Sequence, residues 1–128
     1  MIDVSILVLN NAVPAAIADA SYVFTMVNEF MEQSGKEQPF HVQLVGLKDE
    51  VKLNKGLFRI EPDVLINDVN YTNLVIIPSM TGDALAATYL NKDYAAWIMK
   101  QYKNGAEVAS MCVGAFLLAY TGLLRGKQ

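Results

Sequence analysis

The 128-residue sequence contains one cysteine and one histidine, and this scarcity limits its chemistry. A single cysteine excludes an internal disulfide, which fits a reducing compartment. One cysteine and one histidine cannot build a zinc site of the usual kind. The sequence also lacks a P-loop. We therefore expect neither a metal nor another cofactor.

The chain also lacks an excess of positive charge. It has 10 lysines and arginines against 13 acidic residues, so its formal net charge is −3. A domain that grips DNA phosphates is normally basic. We therefore do not expect this chain to contact nucleic acid itself.

Long hydrophobic runs and targeting signals are missing as well. The longest apolar stretch, Val113–Leu124, is too short to span a bilayer and is broken by glycine. Asp3 and no basic segment precede the apolar run Val4–Leu9, which therefore does not resemble a signal peptide. With 53% hydrophobic residues, the chain can build the core of one domain. We expect a cytoplasmic protein with no membrane partner.

Apolar runs typical of buried strands alternate along the chain with segments of helical periodicity. This alternation predicts an α/β fold with a parallel sheet and right-handed crossovers. A small hairpin is predicted between the second and third strands, and the segment that follows it has no clear pattern. The predicted strands are Val4–Leu9, Phe40–Val45, Leu74–Ile77 and Ala106–Ser110; the predicted helices are Ala15–Met31, Asp83–Leu90, Lys92–Asn104 and Gly114–Leu124; the hairpin is Lys48–Glu61 and the unassigned segment is Pro62–Tyr71.

Two of these helices carry distinctive apolar patterns. The first has an apolar residue at every third or fourth position, which predicts one face packed against the sheet. The last is apolar almost all round, which predicts a helix buried on every side. The apolar residues of the first helix are Ile17, Ala20, Val23, Phe24, Val27, Phe30 and Met31.

Cys112 lies where the last predicted strand turns into the last predicted helix. A sharp strand-to-helix turn with a nucleophile at its tip is the geometry of a nucleophile elbow. The small residues Ser110 and Gly114 leave room for neighbouring backbone, and a following helix favours a thiolate. The other interpretation is a buried structural cysteine, since free cysteine behaves as a small hydrophobe.

Ligands of open α/β sheets bind beyond the carboxyl ends of the strands. Three segments far apart in sequence are predicted to converge there. They are Asn10–Asn11, Pro78–Gly82 and the turn at Cys112. The sequence therefore predicts a crevice at this edge of the sheet.

The region around the elbow resembles one family closely. Its runs Trp97–Tyr102, Gly105–Ala119 and Thr121–Lys127 resemble the ThiJ/PfpI-like (class I glutamine amidotransferase-like) domain at the N-terminus of many AraC-type transcriptional regulators. The match is specific over residues 94–127 and loose before them. The resemblance implies a flavodoxin-like three-layer sandwich, a small-molecule effector and a homodimer. It also implies that residues 1–128 are an incomplete sensor domain, truncated at the C-terminal side, and that DNA is bound only by a helix-turn-helix domain absent from this chain.

The family's catalytic partners are altered or missing here. The position that matches the family's acidic residue is Tyr22, and Asp19, one turn earlier, is expected to be a solvated helix residue. The family's Pro-Gly-Gly turn is replaced by Pro78–Met80, and the downstream histidine is absent because the sequence stops at Gln128, just where the family continues into its histidine-bearing segment. The only histidine, His41, begins its strand and should lie roughly 17 Å from the carboxyl edge. The resemblance thus implies Cys112 as a vestigial catalytic residue and a ligand site at Asn11, Tyr22, Ser79, Met80, Cys112 and Val113.

Three functions are compatible with these residues. The first is a regulatory, ligand-sensing and dimerisation domain of an AraC-type regulator, which is not expected to be catalytic. The second is a ThiJ/PfpI-type cysteine hydrolase or amidase that uses Cys112. The third is a dimerisation module without a ligand. A thiolate without a proton partner handles acyl transfer poorly, so the missing acid and histidine favour the first.

Overall fold

The computed structural model describes residues 1–125 and contains a five-stranded parallel sheet and a separate two-stranded hairpin. The sheet consists of β1 (Ile2–Leu7), β2 (Phe40–Gly46), β5 (Val64–Leu65), β6 (Leu74–Ile77) and β7 (Glu107–Ser110), and the hairpin of β3 (Val51–Leu53) and β4 (Phe58–Ile60). The spatial order is β5-β2-β1-β6-β7, and each neighbouring pair is parallel. The predicted α/β fold with a mainly parallel sheet is confirmed.

Helices cover both faces of this sheet. They are α1 (Pro14–Gln33), α2 (Ala84–Leu90), α3 (Ala95–Lys103) and α4 (Ala115–Tyr120), with single 3-10 turns at Ile66–Asp68, Lys92–Tyr94 and Cys112–Gly114. Helix α1 lies beside Ile76, whereas the turn before α4 packs on the neighbouring Ile77. Because successive strand residues point to opposite faces, α1 and α4 lie on opposite sides of the sheet. No helix among residues 1–125 is both long and apolar enough to cross a membrane.

The core is centred on β1, which pairs with a strand on each side. Val4, Ile6 and Leu7 are completely buried, and so are Val8 and Leu9 just beyond the strand. Burial on both faces explains why this segment is a continuous apolar run rather than an alternating one. Here the sequence prediction was displaced by two residues, because Val8 and Leu9 belong to the buried loop.

Strand β5 is the element that the sequence did not predict. It pairs only Val64 and Leu65 with the end of β2, inside the segment Pro62–Tyr71. Two residues are too few to show a period of two, so this edge strand has no sequence signature. The predicted hairpin is confirmed as β3 and β4, which pair in antiparallel register.

Helix α1 begins at Pro14, one residue before the predicted start, because proline suits the first turn of a helix, but its packed face is narrower than predicted. Val23, Val27 and Phe30 are 58%, 39% and 67% exposed, so the prediction that they are buried was wrong. The rotation of the helix is fixed by Asn28, whose side-chain amide donates to the Phe40 carbonyl (2.8 Å) and accepts from the Phe40 N–H (3.0 Å). These two hydrogen bonds leave the apolar strip formed by Val23, Val27 and Phe30 facing solvent.

Helix α4 is also shorter and more exposed than predicted. It ends at Tyr120 rather than Leu124, and turns follow up to Arg125. Leu117 is completely buried, but Phe116 and Tyr120 are 47% and 52% exposed. The prediction of a helix buried on every side was therefore wrong, because its neighbours among residues 1–125, α2, α3 and β6, leave Phe116 and Tyr120 uncovered.

Candidate functional site

Cys112 occupies a strained turn at the carboxyl end of β7. Its φ angle is +48°, in the left-handed region that costs a residue with a side chain about 1–2 kcal/mol. Cys112 is the first residue of the 3-10 turn Cys112–Gly114, which leads into α4. The preceding residue, Met111, donates its N–H to the Ile77 carbonyl at 2.9 Å. The cysteine is exposed. The elbow geometry is confirmed, and a buried structural cysteine is excluded.

Gly114 is what allows the chain to turn so tightly. A Cβ atom at this position would lie 2.6 Å from the carbonyl oxygens of both Ile77 and Pro78. Such a contact is too short, so any side chain here would push the turn away from β6. The expected role of Gly114 in giving room to neighbouring backbone agrees with this geometry.

Helix α1 passes beside the elbow, but it brings no buried acid. Tyr22, at the position of the family's carboxylate, is 62% exposed. Asp19 is exposed too and lines an apolar groove of about 240 Å³ together with Val23, Phe24, Ile76 and Met111. Val113 is half-buried and packs against the core.

His41 lies at the opposite edge of the sheet, as predicted. It pairs in register with Asp3 near the start of β1, and its Nδ1 atom is 3.0 Å from the Asp3 carboxylate. Both side chains are largely solvent-accessible. His41 therefore belongs to a surface pair that is remote from Cys112.

The loops after β1 and β6 pair with each other at the point where the strand order reverses. Ala12 forms an antiparallel bridge with Met80, the Val13 N–H donates to the Ser79 carbonyl (2.8 Å), and the Thr81 N–H donates to the Asn11 carbonyl (2.7 Å). The structure thus brings Asn11, Ser79 and Met80 together. However, the Met80 side chain is only 3% exposed, so it belongs to the core.

A polar cleft opens on the other side of β1, over β2 and the hairpin. One part, of about 480 Å³, is lined by Asn10, Asn11, Lys48, Glu50, Val51 and Lys52. The adjoining part, of about 580 Å³, is lined by Asn10, Leu47, Lys48, Leu90 and Asp93. Because the two parts share Asn10 and Lys48, we call them together the β1–β2 cleft. Cys112 does not line it.

Two buried polar side chains, Asn91 and Tyr94, hold the walls of this cleft. The Asn91 amide accepts from the Asn10 N–H and donates to the Asn10 carbonyl, both at 2.8 Å. The Tyr94 hydroxyl donates to the Val8 carbonyl (3.0 Å) and accepts from the Leu47 N–H (3.1 Å). Burial raises the pKa of Tyr94 to about 12, although the Leu47 N–H opposes this shift.

Sequence reasoning missed this cleft. Tyr94 falls inside the predicted helix Lys92–Asn104, and Asn91 lies in the gap between two predicted helices. An asparagine directly after a helix is a frequent capping residue, so its type did not indicate a contact 81 positions away. Among residues 1–125, no three His, Cys, Asp or Glu side chains are placed to hold a metal ion.

A family model described as the DJ-1/PfpI family matches residues 11–128. A comparison with curated proteins gave no match. Among solved structures, a candidate transcriptional regulator from Vibrio parahaemolyticus superposes with a TM-score of 0.79 at 22% identity, over 97% of this chain and 63% of that protein. The chain therefore spans less than two thirds of the length of this relative.

Two other solved structures share the fold. A DJ-1 superfamily protein from Agrobacterium tumefaciens has a TM-score of 0.71 at 15% identity, over 98% of this chain and 61% of that protein. A candidate protease I from Bacteroides thetaiotaomicron has a TM-score of 0.70 at 18% identity, over 99% of this chain and 72% of that protein. Identities this low establish a shared fold, and the three relatives carry different functional descriptions.

Proposed function

Because the chain belongs to the DJ-1/PfpI family, we propose that it is the effector-sensing part of an AraC-type transcriptional regulator and that it has no catalytic role. The observation that supports this most is the isolation of Cys112. The strained elbow is present, but the acid position holds an exposed tyrosine and the one histidine lies at the far edge of the sheet. A general base must lie within about 3 Å of the group it deprotonates. His41, at the far edge of the sheet, does not meet this condition.

The regulatory part of the proposal draws on two further observations. Residues 94–127 resemble the sensor domains of AraC-type regulators, and the Vibrio structure is described as a candidate transcriptional regulator. In this proposal residues 1–128 are part of the sensor domain, and a helix-turn-helix domain elsewhere in the protein reads DNA in the cytoplasm. The acidic balance of this chain supports such a division of labour.

We also propose that the sensor is a homodimer. Monomeric proteins rarely expose large contiguous apolar patches. On α1, Tyr22, Met26 and Phe30 follow one another at every fourth position and are 62%, 47% and 67% exposed, so they form one apolar strip; Phe116 and Tyr120 on α4 are exposed separately, on the other side of the sheet. Sedimentation velocity at micromolar concentrations should give the mass of two chains, and a monomer throughout that range would contradict the dimer.

The regulatory proposal is tested by chromatin immunoprecipitation of the protein, tagged at its own locus in the cell that encodes it. We expect enrichment at a small number of discrete promoters. A tagged cytoplasmic enzyme from the same cell is the control for non-specific recovery. A profile that equals this control would overturn the proposal.

A cysteine hydrolase is the alternative, and the exposed, strained Cys112 is the observation in its favour. p-Nitrophenyl esters and aminoacyl-coumarin amides test it directly. We expect equal background rates for the wild type and for Cys112→Ala. Turnover that disappears in Cys112→Ala, with the fold intact by circular dichroism, would establish the hydrolase instead.

A further inference from the structure

We propose that the β1–β2 cleft is the effector site and that it binds a small organic acid through Lys48 and Lys52. This inference rests on the proposed sensing function, because it names the site and the ligand class of the sensor. It also separates that site from Cys112, which does not line the cleft.

The size and position of the cleft suit a small ligand. Its two parts, of about 480 and 580 Å³, lie in the range of roughly 300–1,000 Å³ that is typical of small-molecule sites. The cleft opens beyond the carboxyl ends of β1 and β2, the edge at which parallel α/β sheets bind their ligands. At the neighbouring position between β1 and β6, the space is taken by the bridge between Ala12 and Met80.

The walls of the cleft are rigid before any ligand arrives. Asn91, which is completely buried, pairs with both backbone groups of Asn10, and it also donates to the Ala87 carbonyl at 2.9 Å. Tyr94, 1% exposed, ties Val8 at the end of β1 to Leu47 at the end of β2. A wall that is already ordered loses little conformational entropy on binding. Two buried polar side chains therefore hold two surface loops in one conformation, which indicates that this conformation is important for binding.

The charges of the cleft select an anion at one end. Glu50 is engaged by Arg59, with 3.6 Å between the carboxylate and Nε. Lys48 and Lys52 form no ion pair with residues 1–125 and are both exposed. Lys48 and Lys52 line the same part of the cleft as Asn10 and Asn11, and two unpaired ammonium groups there can hold a carboxylate by charge-assisted hydrogen bonds.

The other end of the cleft limits the rest of the ligand. Leu47 and Leu90 supply apolar walls, and Asp93 adds a negative charge. A second anionic group would be repelled there, whereas an alkyl body, or an alkyl body with an ammonium group, would fit. The preferred class is therefore a small aliphatic monocarboxylate, including one that carries an ammonium group at the far end of its alkyl chain.

Four probes test this class: isovalerate, 5-aminovalerate, isopentylamine and inorganic phosphate. Each is titrated into the ¹⁵N-labelled chain at millimolar concentrations, and amide shifts are followed by NMR. We expect isovalerate and 5-aminovalerate to shift the resonances of Asn10, Asn11 and Lys48, and isopentylamine, which has no carboxylate for the lysines, to leave them unchanged. If neither carboxylate shifts them, or if phosphate binds as tightly as isovalerate, the proposal is wrong.

A matched pair of double variants ties the binding to the cleft. Lys48→Ala/Lys52→Ala should weaken carboxylate binding at least roughly tenfold, because both charge-assisted contacts are lost. Lys36→Ala/Lys103→Ala removes the same charge from exposed positions outside the cleft and should bind like the wild type. Equal weakening in both would mean that only net charge matters, and the proposal would fail. DNA association is measured separately, so a failure here would leave the regulatory function standing.

Discussion

The elbow at the end of β7 and the β1–β2 cleft lie along the same edge of one sheet, yet they are built differently. At the elbow, the backbone is shaped by a glycine that tolerates a close approach to Ile77 and Pro78. At the cleft, it is shaped by the buried side chains of Asn91 and Tyr94. The elbow packs on Ile77 and Pro78, but its signal in the sequence is local, because the small residues that permit the turn lie beside Cys112; the cleft depends on contacts across 81 and 86 positions. A local motif can be recognised from the sequence, but a site made by distant contacts cannot.

The largest effect is expected at the elbow, from Gly114→Ala. The added Cβ would meet two carbonyl oxygens at 2.6 Å, so the turn must shift and the variant should lose about 3 kcal/mol of unfolding free energy. Urea denaturation followed by circular dichroism measures this. Ala119→Ser, exposed on α4, is the control and should change little. If Gly114→Ala were as stable as this control, the tight contact between the elbow and β6 would be wrong.

On the cleft side, Asn91→Ala should cost about 2 kcal/mol, because it leaves the half-buried N–H and carbonyl of Asn10 without their side-chain partner. Hydrogen exchange of the Asn10 amide should accelerate, while the amides of β7 keep their protection. Exchange that accelerates equally at both places would show that the two regions unfold as one unit.

Tyr94→Phe tests the cleft through the pH dependence of the free energy of unfolding. The loss of the hydroxyl should cost about 1–2 kcal/mol at neutral pH, since the Leu47 N–H and Val8 carbonyl lose a partner. Burial raises the pKa of Tyr94 from 10.0 to about 12, so this tyrosine ionises more easily in the unfolded chain. The contribution of the neutral Tyr94 hydroxyl to the free energy of unfolding is complete below pH 10 and falls as the pH rises towards 12. The difference between wild type and Tyr94→Phe in urea denaturation should therefore shrink from pH 9 to pH 11, and a constant difference would contradict the buried hydroxyl.

The smallest effect is expected for the strain at Cys112. Cys112→Gly removes the cost of a side chain at φ +48°, but it adds conformational entropy to the unfolded chain. We expect Cys112→Gly to be more stable than Cys112→Ala by about 0.5–1 kcal/mol, because alanine keeps the left-handed strain. Thermal unfolding of the two variants side by side measures this difference. An alanine variant of equal or greater stability would mean that the elbow stores no strain.

Much of the fold could be predicted because its signals are local. The buried strand Leu74–Ile77 was predicted with its observed bounds, and the hairpin, the start of α1 at Pro14 and the turn at Cys112 also follow from nearby residues. The errors have a common cause. The exposed strip on α1, the exposed side of α4 and the short strand β5 depend on which neighbours lie beside them.

By itself, the sequence determined the alternation of strands and helices, because apolar periodicity and turn residues act within a few positions. It also determined the elbow, through a glycine two positions after Cys112. The tertiary structure alone decided that Asn28 turns the apolar strip of α1 towards solvent. It also decided that Asn91 and Tyr94 shape a cleft beside Lys48. The physical reason is that a buried polar side chain must find a hydrogen-bond partner, and only the folded chain fixes which distant backbone group that partner is.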